Sequence, residues 1–75
     1  MQELKNIDSS AINSLKVDPS AGSAEVEFTE GRKYLYTNVS VDSIYELLKN
    51  GADSFGQWVN VNLSRNDNTQ FIELA

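Results

Sequence analysis

The side chains that could do chemistry in this chain are hydroxyls, carboxylates and a few cations, because histidine and cysteine are absent. Their absence removes the commonest general base, the thiolate nucleophile and the usual ligands of zinc. Ser9 and Ser10 therefore lack an activating imidazole, and no motif pairs them with a lysine. We expect them to form the turn into the first strand, and we expect no enzymatic activity.

The acidic residues do not form a better site. Glu25 and Glu27 alternate along a strand-like segment, which is typical of a solvated strand face. The run Asn66-Asp67-Asn68 lacks the glycine and the terminal glutamate of a calcium-binding loop, so a polar turn is expected there. The glycines are isolated and make no phosphate-binding loop. The sequence predicts neither a metal nor a cofactor.

The overall charge restricts the class of partner. Eleven acidic and six basic residues give a formal net charge of −5. This sign opposes binding to nucleic acids and to anionic lipids, whose affinity comes largely from lysine and arginine. The chain contains no apolar run long enough to span a membrane, and its first residues do not resemble a signal peptide. We therefore expect no membrane contact and a cytoplasmic location.

Strands are predicted in the first half of the chain, where apolar and polar residues alternate. The predicted strands are Ile12 to Val17, residues 24–28, and Lys33 to Val39. Ile12 is out of phase with the other apolar residues of its strand. Phe71 to Leu74 is read as a short closing strand, and residues 1–6 as a loose N-terminus. Seventy-five residues are too few for a second hydrophobic core, so one domain over residues 1–75 is expected.

Two later segments carry helix signals. Ser40 is a suitable N-cap, and the i, i+3, i+4, i+7 spacing of apolar residues that follows it predicts a helix that ends at Gly51. Residues 54–65 are ambiguous. Ser54 and Gln57 fit a capping box, yet residues 59–63 alternate as a strand would.

The side chains of Tyr34 and Tyr36 lie on one face of the third strand, and the preceding hairpin decides which face that is. A two-residue turn would place them on the solvent side, whereas a type I turn followed by a bulge at Gly31 would place them beside Val26. The first turn needs a positive φ at Glu30, and the second needs it only at a glycine. The bulged register is therefore favoured, with both tyrosines at the edge of the core and their hydroxyls at its rim.

The order of residues along the chain resembles the KTSC domain family. The matching positions are Ile7, Ser9-Ser10, Ile12, Leu15, Asp18-Pro19, Phe28-x-x-Gly31-x-x-Tyr34-x-Tyr36, Val39, Tyr45, Leu48 and Ala52-Asp53-Ser54-Phe55-Gly56-Gln57-Trp58-Val59-Asn60. The family is named for the C-terminal extension of some lysyl-tRNA synthetases, and it also occurs as stand-alone bacterial and phage-type proteins. The resemblance implies a compact domain with the tyrosine pair in its middle, and it suggests RNA binding.

The resemblance also favours a helix for Ser54 to Leu63. The predicted fold is therefore α+β: a three-stranded antiparallel meander packed against two helices, with a short C-terminal strand as an optional addition to the sheet. Members of the family carry basic residues around the asparagine of the last motif. The corresponding positions here are uncharged: Gln57, Val61, Asn62 and Ser64. This departure weakens the implication of RNA binding.

The function predicted from these features is a small, non-enzymatic binding module with a protein partner. The residues predicted to contact that partner are Trp58, Val61 and Phe55, with Tyr34 and Tyr36 in support. The alternative is an RNA-binding accessory domain that uses Lys16, Arg32, Lys33 and the tyrosines. A less favoured alternative is a small ligand bound at a subunit interface. We expect a monomer or a weak homodimer.

Overall fold

The computed structural model describes residues 1–5, 7 and 9–75, which form an antiparallel sheet of five strands and two helical segments. The order of the strands across the sheet is their order along the chain. The elements are β1 Gln2–Glu3, β2 Ile12–Asp18, β3 Ser23–Phe28, β4 Lys33–Thr37, α1 Val41–Asn50, α2 Phe55–Val59 with a π-helical turn Asn60–Ser64 directly after it, and β5 Gln70–Glu73. The predicted α+β class is confirmed.

The predicted three-stranded meander corresponds to β2, β3 and β4, but it is incomplete because a strand pairs at each edge. The closing strand β5 pairs with β4. Gln2 and Glu3, predicted to belong to a loose N-terminus, pair with Val17 and Lys16 as β1. Sequence patterns did not indicate β1 because two polar residues show no alternation. Asn6 lies outside the described residues.

A β-bulge in β2 explains the phase of Ile12. The pairing of β2 with β3 shifts between Ile12 and Ser14, so that the strand gains one residue on this side. An extra residue reverses the alternation of side chains, since successive residues of a strand point to opposite faces. Ile12 is therefore buried together with Leu15 and Val17 on one face of the sheet.

The β3–β4 hairpin has the bulged register predicted from its glycine. Gly31 has φ +100°, and its N–H donates to the Phe28 carbonyl at 2.9 Å. Val26 lies opposite Tyr34, and Ala24 opposite Tyr36. Glycine adopts a positive φ without the steric cost that Glu30 would have in the two-residue turn. The tyrosines consequently share the face of Val26 and Ala24.

Strand β4 ends two residues earlier than predicted. Asn38 has a positive φ of 57°, which turns the chain out of the sheet. Its side-chain amide donates to the carbonyl of Asn68 at 2.7 Å, and this bond joins the end of β4 to the loop before β5. Asparagine tolerates the left-handed region better than most residues do.

Both helical segments begin at the predicted serines. The Ser40 hydroxyl accepts from the Ser43 N–H at 3.3 Å, and the Ser54 hydroxyl accepts from the Gln57 N–H at 3.2 Å. Gly51 closes α1 with a φ of 73°. Residues 55–64 are therefore helical. Of the three apolar residues that alternate there, Val59 and Leu63 are buried four residues apart, which is the spacing of one helix face, and Val61 between them is exposed.

The core lies between the sheet and the helices. It contains Leu15, Val17 and Val26 from the sheet, Ile44 and Leu47 from α1, and Val59 and Leu63 from the second helical segment. The face of the sheet that carries these residues is called the inner face below. The outer face carries the side chains that alternate with them.

Candidate functional site

Four aromatic rings on the inner face form the most distinctive surface feature of the molecule. The rings of Tyr34 and Phe71 meet edge to face, with centroids 5.6 Å apart. Tyr34 contacts Phe28 in the same way at 5.9 Å, and Tyr36 lies 5.9 Å from Phe71. Such offset arrangements are favourable for aromatic pairs.

These rings line an open groove, here called the aromatic groove, of about 320 Å³. Its lining residues are Phe28, Glu30, Tyr34, Tyr36, Ser64 and Phe71. The groove lies where the end of the π-helical turn reaches the inner face of β3, β4 and β5. The Phe71 side chain keeps 64% of its surface exposed, although a large apolar ring is normally well covered.

The register of the strands places the four rings together. Tyr36 lies opposite Phe71 in the pairing of β4 with β5, so these two residues share the inner face. Phe28 reaches the same face because it is two residues after Val26 in β3. The groove thus depends on the Gly31 bulge, since a one-residue slip would move both tyrosines to the other face.

Tyr36 connects the sheet to the second helical segment. It is 95% buried, and its hydroxyl lies 3.2 Å from the Ser64 hydroxyl. Either oxygen can be the donor of this hydrogen bond. The bond links the end of the π-helical turn, where Ser64 lies, to β4, where Tyr36 lies.

Removing this hydroxyl should measure the strength of that connection. We expect Tyr36→Phe to lower the free energy of unfolding by about 1 kcal/mol, because a partly buried hydrogen bond is lost and Ser64 is left with its hydroxyl unpaired by protein. Urea denaturation followed by circular dichroism would measure it. Tyr45→Phe is the matched control, since Tyr45 is 57% exposed on α1 and should change stability little.

A small cluster of charges borders the hairpin end of the groove. The Arg32 guanidinium lies 3.8 Å from a Glu30 carboxylate oxygen. Its pKa is raised, first by interaction with the Tyr34 hydroxyl and then by the carboxylates of Glu30 and Glu73. Arginine is charged at any physiological pH even without this shift, so the charge of Arg32 does not change with pH in the physiological range. It pairs one cation with the Glu30 carboxylate at this end of the groove.

The helical residues predicted to contact a partner form a second, separate surface. Trp58 is half-buried against the core, while Val61 keeps 58% of its surface exposed. Both line a shallower depression of about 280 Å³, and we call these two residues the helix patch. Phe55 packs against the core and lies outside this lining. Four of the five predicted partner-binding residues therefore divide between two surfaces, Tyr34 and Tyr36 in the aromatic groove and Trp58 and Val61 in the helix patch, and Phe55 belongs to neither.

The π-helical turn contributes to the shape of the helix patch. The Arg65 N–H donates to the Asn60 carbonyl, five residues earlier, at 2.8 Å. The side-chain amide of Asn62 donates to the Trp58 carbonyl at 3.0 Å. The wider turn keeps Leu63 in the core and leaves Val61 on the solvent side.

The cations predicted to bind RNA do not come together. Lys16 lies opposite Glu25 on the outer face and pairs with its carboxylate at 3.6 Å. Lys33 lies opposite Glu27, also on the outer face. Arg32 alone lies beside a tyrosine. A single RNA strand on the aromatic groove would therefore meet one of the three cations, and that one already has acidic neighbours.

The polar residues considered for chemistry occupy turns. The Ser9 hydroxyl accepts from the N–H groups of Ala11 and Ile12, as expected for the entry to β2. The Asn66 side chain accepts from the Asn68 N–H at 2.9 Å, which is the predicted polar turn. Within residues 1–5, 7 and 9–75, no three carboxylates come close enough to hold a metal ion.

Sequence reasoning missed Phe28 and Phe71 as site residues. The signal for Phe28 was present, because the favoured register puts it on the face of Tyr34. No sequence pattern indicated Phe71 as a site residue, because the pattern does not predict which strand β5 pairs with. Its place beside β4 follows only from the fold.

No helix in the described part of the chain has the length and apolarity needed to cross a membrane.

Comparison with known protein families identifies the family of this chain. No curated protein matches the sequence. The family model of the KTSC domain matches residues 8–66, which include the two tyrosines, both helical segments and three of the five strands. The chain belongs to the KTSC domain family.

Proposed function

We propose that the protein is a non-enzymatic binding module, and that its aromatic groove holds an apolar or aromatic side chain of a protein partner. The observation that carries the proposal is the group of four rings in mutual contact, with Phe71 largely exposed. Aromatic residues are enriched at binding hot spots, where they supply a large contact area at a small cost in side-chain entropy.

The charge around the groove indicates the kind of partner segment. Glu30 lines the groove, Glu73 shares the inner face with Tyr34, and the net charge of the chain is −5. An apolar side chain flanked by lysine or arginine would complement this surface. The helix patch of Trp58 and Val61 is a second contact region for the same class of partner.

RNA binding is the second candidate, favoured by one observation. Arg32 lies beside Tyr34, and exposed rings can stack on bases. Two facts weigh against it: the remaining predicted cations are on the outer face, and Lys16 is paired with Glu25. A small ligand is less favoured, because the groove is near the lower end of ligand-pocket volumes, roughly 300 Å³, and it is open.

The proposal can be tested with a displayed library of random peptides. The native protein should enrich peptides that have an aromatic or aliphatic residue next to a basic one. Phe71→Ala should weaken their binding about tenfold or more, as expected for a hot-spot ring, in fluorescence anisotropy with synthetic peptides. Tyr45→Ala is the control, because it removes an exposed ring outside both surfaces.

Two outcomes would reject the proposal. One is enrichment of the same peptides on the Phe71→Ala protein. The other is that random-sequence single-stranded RNA binds the native protein more tightly than any selected peptide, with an affinity that falls steeply with salt and is lost in Arg32→Gln. The second outcome would establish the RNA-binding alternative.

A further inference from the structure

Strand β5 forms an unusual edge of the sheet. It is the last strand in the order, so one side of its backbone has no neighbouring strand among the described residues. Phe71, Ile72 and Leu74 are 64%, 60% and 47% exposed at this edge. Edge strands normally carry charged residues (especially lysine), proline or bulges that prevent pairing with another chain; Gln70–Glu73 has neither lysine nor proline, and its one charged residue is Glu73. The opposite edge, β1, is only two polar residues long.

The hydrogen bonds of β5 show which backbone groups are free. The Leu74 N–H donates to the Lys33 carbonyl at 2.7 Å, and the Lys33 N–H donates to the Ala75 carbonyl at 3.2 Å, so the N–H of Leu74 is directed toward β4. In antiparallel pairs this direction alternates along the strand. Ile72 therefore faces β4 as well, and the N–H and C=O groups of Phe71 and Glu73 point away from the sheet.

We propose that β5 pairs with β5 of a second copy of this chain, antiparallel and about a two-fold axis at Ile72. Phe71 of each copy then exchanges N–H···O=C bonds with Glu73 of the other. Ile72 lies against Ile72 in a pair without direct hydrogen bonds, where side chains approach most closely. A symmetric contact of this kind closes on itself and gives a dimer.

The alternative two-fold register, centred on Phe71, forms fewer hydrogen bonds because of a turn. Its outer pairs would join Thr69 to Glu73 of the other copy. The Thr69 N–H already donates to the Asn66 carbonyl at 3.1 Å, and its hydroxyl donates to the Leu63 carbonyl at 2.7 Å. Thr69 is therefore held in the loop before β5. The register centred on Ile72 uses only groups that face outward.

The outer face provides the apolar contact for this dimer. Leu35 lies opposite Ile72 on that face, and Glu25 and Lys16 follow farther from the edge. Pairing at Ile72 joins the two copies into a continuous row of Leu35, Ile72, Ile72 and Leu35. One strand pair is a small interface, below about 1,200 Å², and each copy carries −5, so the dimer should be weak.

Sedimentation equilibrium at increasing protein concentration tests the dimer. The mass should rise from that of a monomer toward twice that value, and more readily at higher salt, which screens the like charges. Ile72→Lys should abolish the increase. Glu73→Pro removes only an N–H that faces away from β4, and it should weaken association about tenfold or more through lost hydrogen bonds. Circular dichroism would verify that both variants fold.

The register is tested with single cysteines, since the native chain has none. Facing residues in such a pair have Cα atoms about 4.5 Å apart, within the roughly 4.4–6.8 Å that a disulfide spans. Ile72→Cys should therefore form a covalent dimer under mild oxidation. Phe71→Cys is the control. Its two copies would lie diagonally, about 7–8 Å apart, and should not cross-link.

A native protein that stays monomeric at millimolar concentration would overturn the proposal. So would a dimer in which Phe71→Cys cross-links and Ile72→Cys does not. Ile72 lies on the outer face, away from the aromatic groove, so this result is independent of whether the groove binds a peptide.

Discussion

Leu15→Ala is expected to lower the free energy of unfolding by about 3–5 kcal/mol, the largest effect of any substitution considered for this domain. Leu15 is fully buried at the centre of the core, between neighbouring strands and the helices. Alanine would leave a cavity that a sheet fixed by pairing on both sides cannot close. A domain of this length is typically stable by only about 4–11 kcal/mol, so a large part of the stability would be lost.

Urea denaturation followed by Trp58 fluorescence and by circular dichroism would measure this loss. The matched control is Leu74→Ala, which removes the same atoms from a side chain that is 47% exposed. Its cost should be below about 1 kcal/mol, since little apolar area returns to water. Equal costs for the two variants would contradict the described core.

Gly22→Ala should be the second most damaging change, with a loss of about 2 kcal/mol or more. Gly22 has a φ of +63°, a conformation that costs other residues about 1–2 kcal/mol. A Cβ at this position would also lie 3.2 Å from the Val39 carbonyl oxygen. That neighbour cannot move freely, because the Val39 N–H donates to the Gly22 carbonyl at 2.8 Å.

Gly31→Ala measures the cost of a positive φ without the crowding that a Cβ would meet at Gly22. Gly31 also has a positive φ, of +100°, but a Cβ there would meet nothing within 4 Å. Its cost should be the backbone strain alone, about 2 kcal/mol, because φ +100° lies beyond the left-handed region that alanine tolerates. Thermal unfolding of both variants under the same conditions would compare them. A Gly22→Ala cost of about 1 kcal/mol or less would show that crowding at Val39 is unimportant.

Local rules were sufficient for the hairpin and the helix starts. The φ preference of one residue, Gly31, selected the register that buries Tyr36, and two serines marked the helix starts. These features depend on contacts within a few residues, which is why the sequence alone predicts them.

Features that depend on distant contacts were not predictable in the same way. The bulge at Ile12 adapts β2 to the inner face, and the out-of-phase residue was its only sign. Sequence spacing indicated neither β1 nor the position of β5 beside β4. The sequence also grouped Lys16 with Arg32, although sheet alternation places them on different faces.

The connection between β4 and β5 has a consequence for the aromatic groove. Residues 38–69, including both helical segments, separate these two strands, whereas four residues separate β3 from β4. Closing such a long loop costs more entropy, so β5 should pair last during folding and detach first in the native state. Detachment would remove Phe71 and open one wall of the groove. Any molecule held there would consequently slow amide hydrogen exchange along β5, and binding would be linked thermodynamically to the closure of this strand.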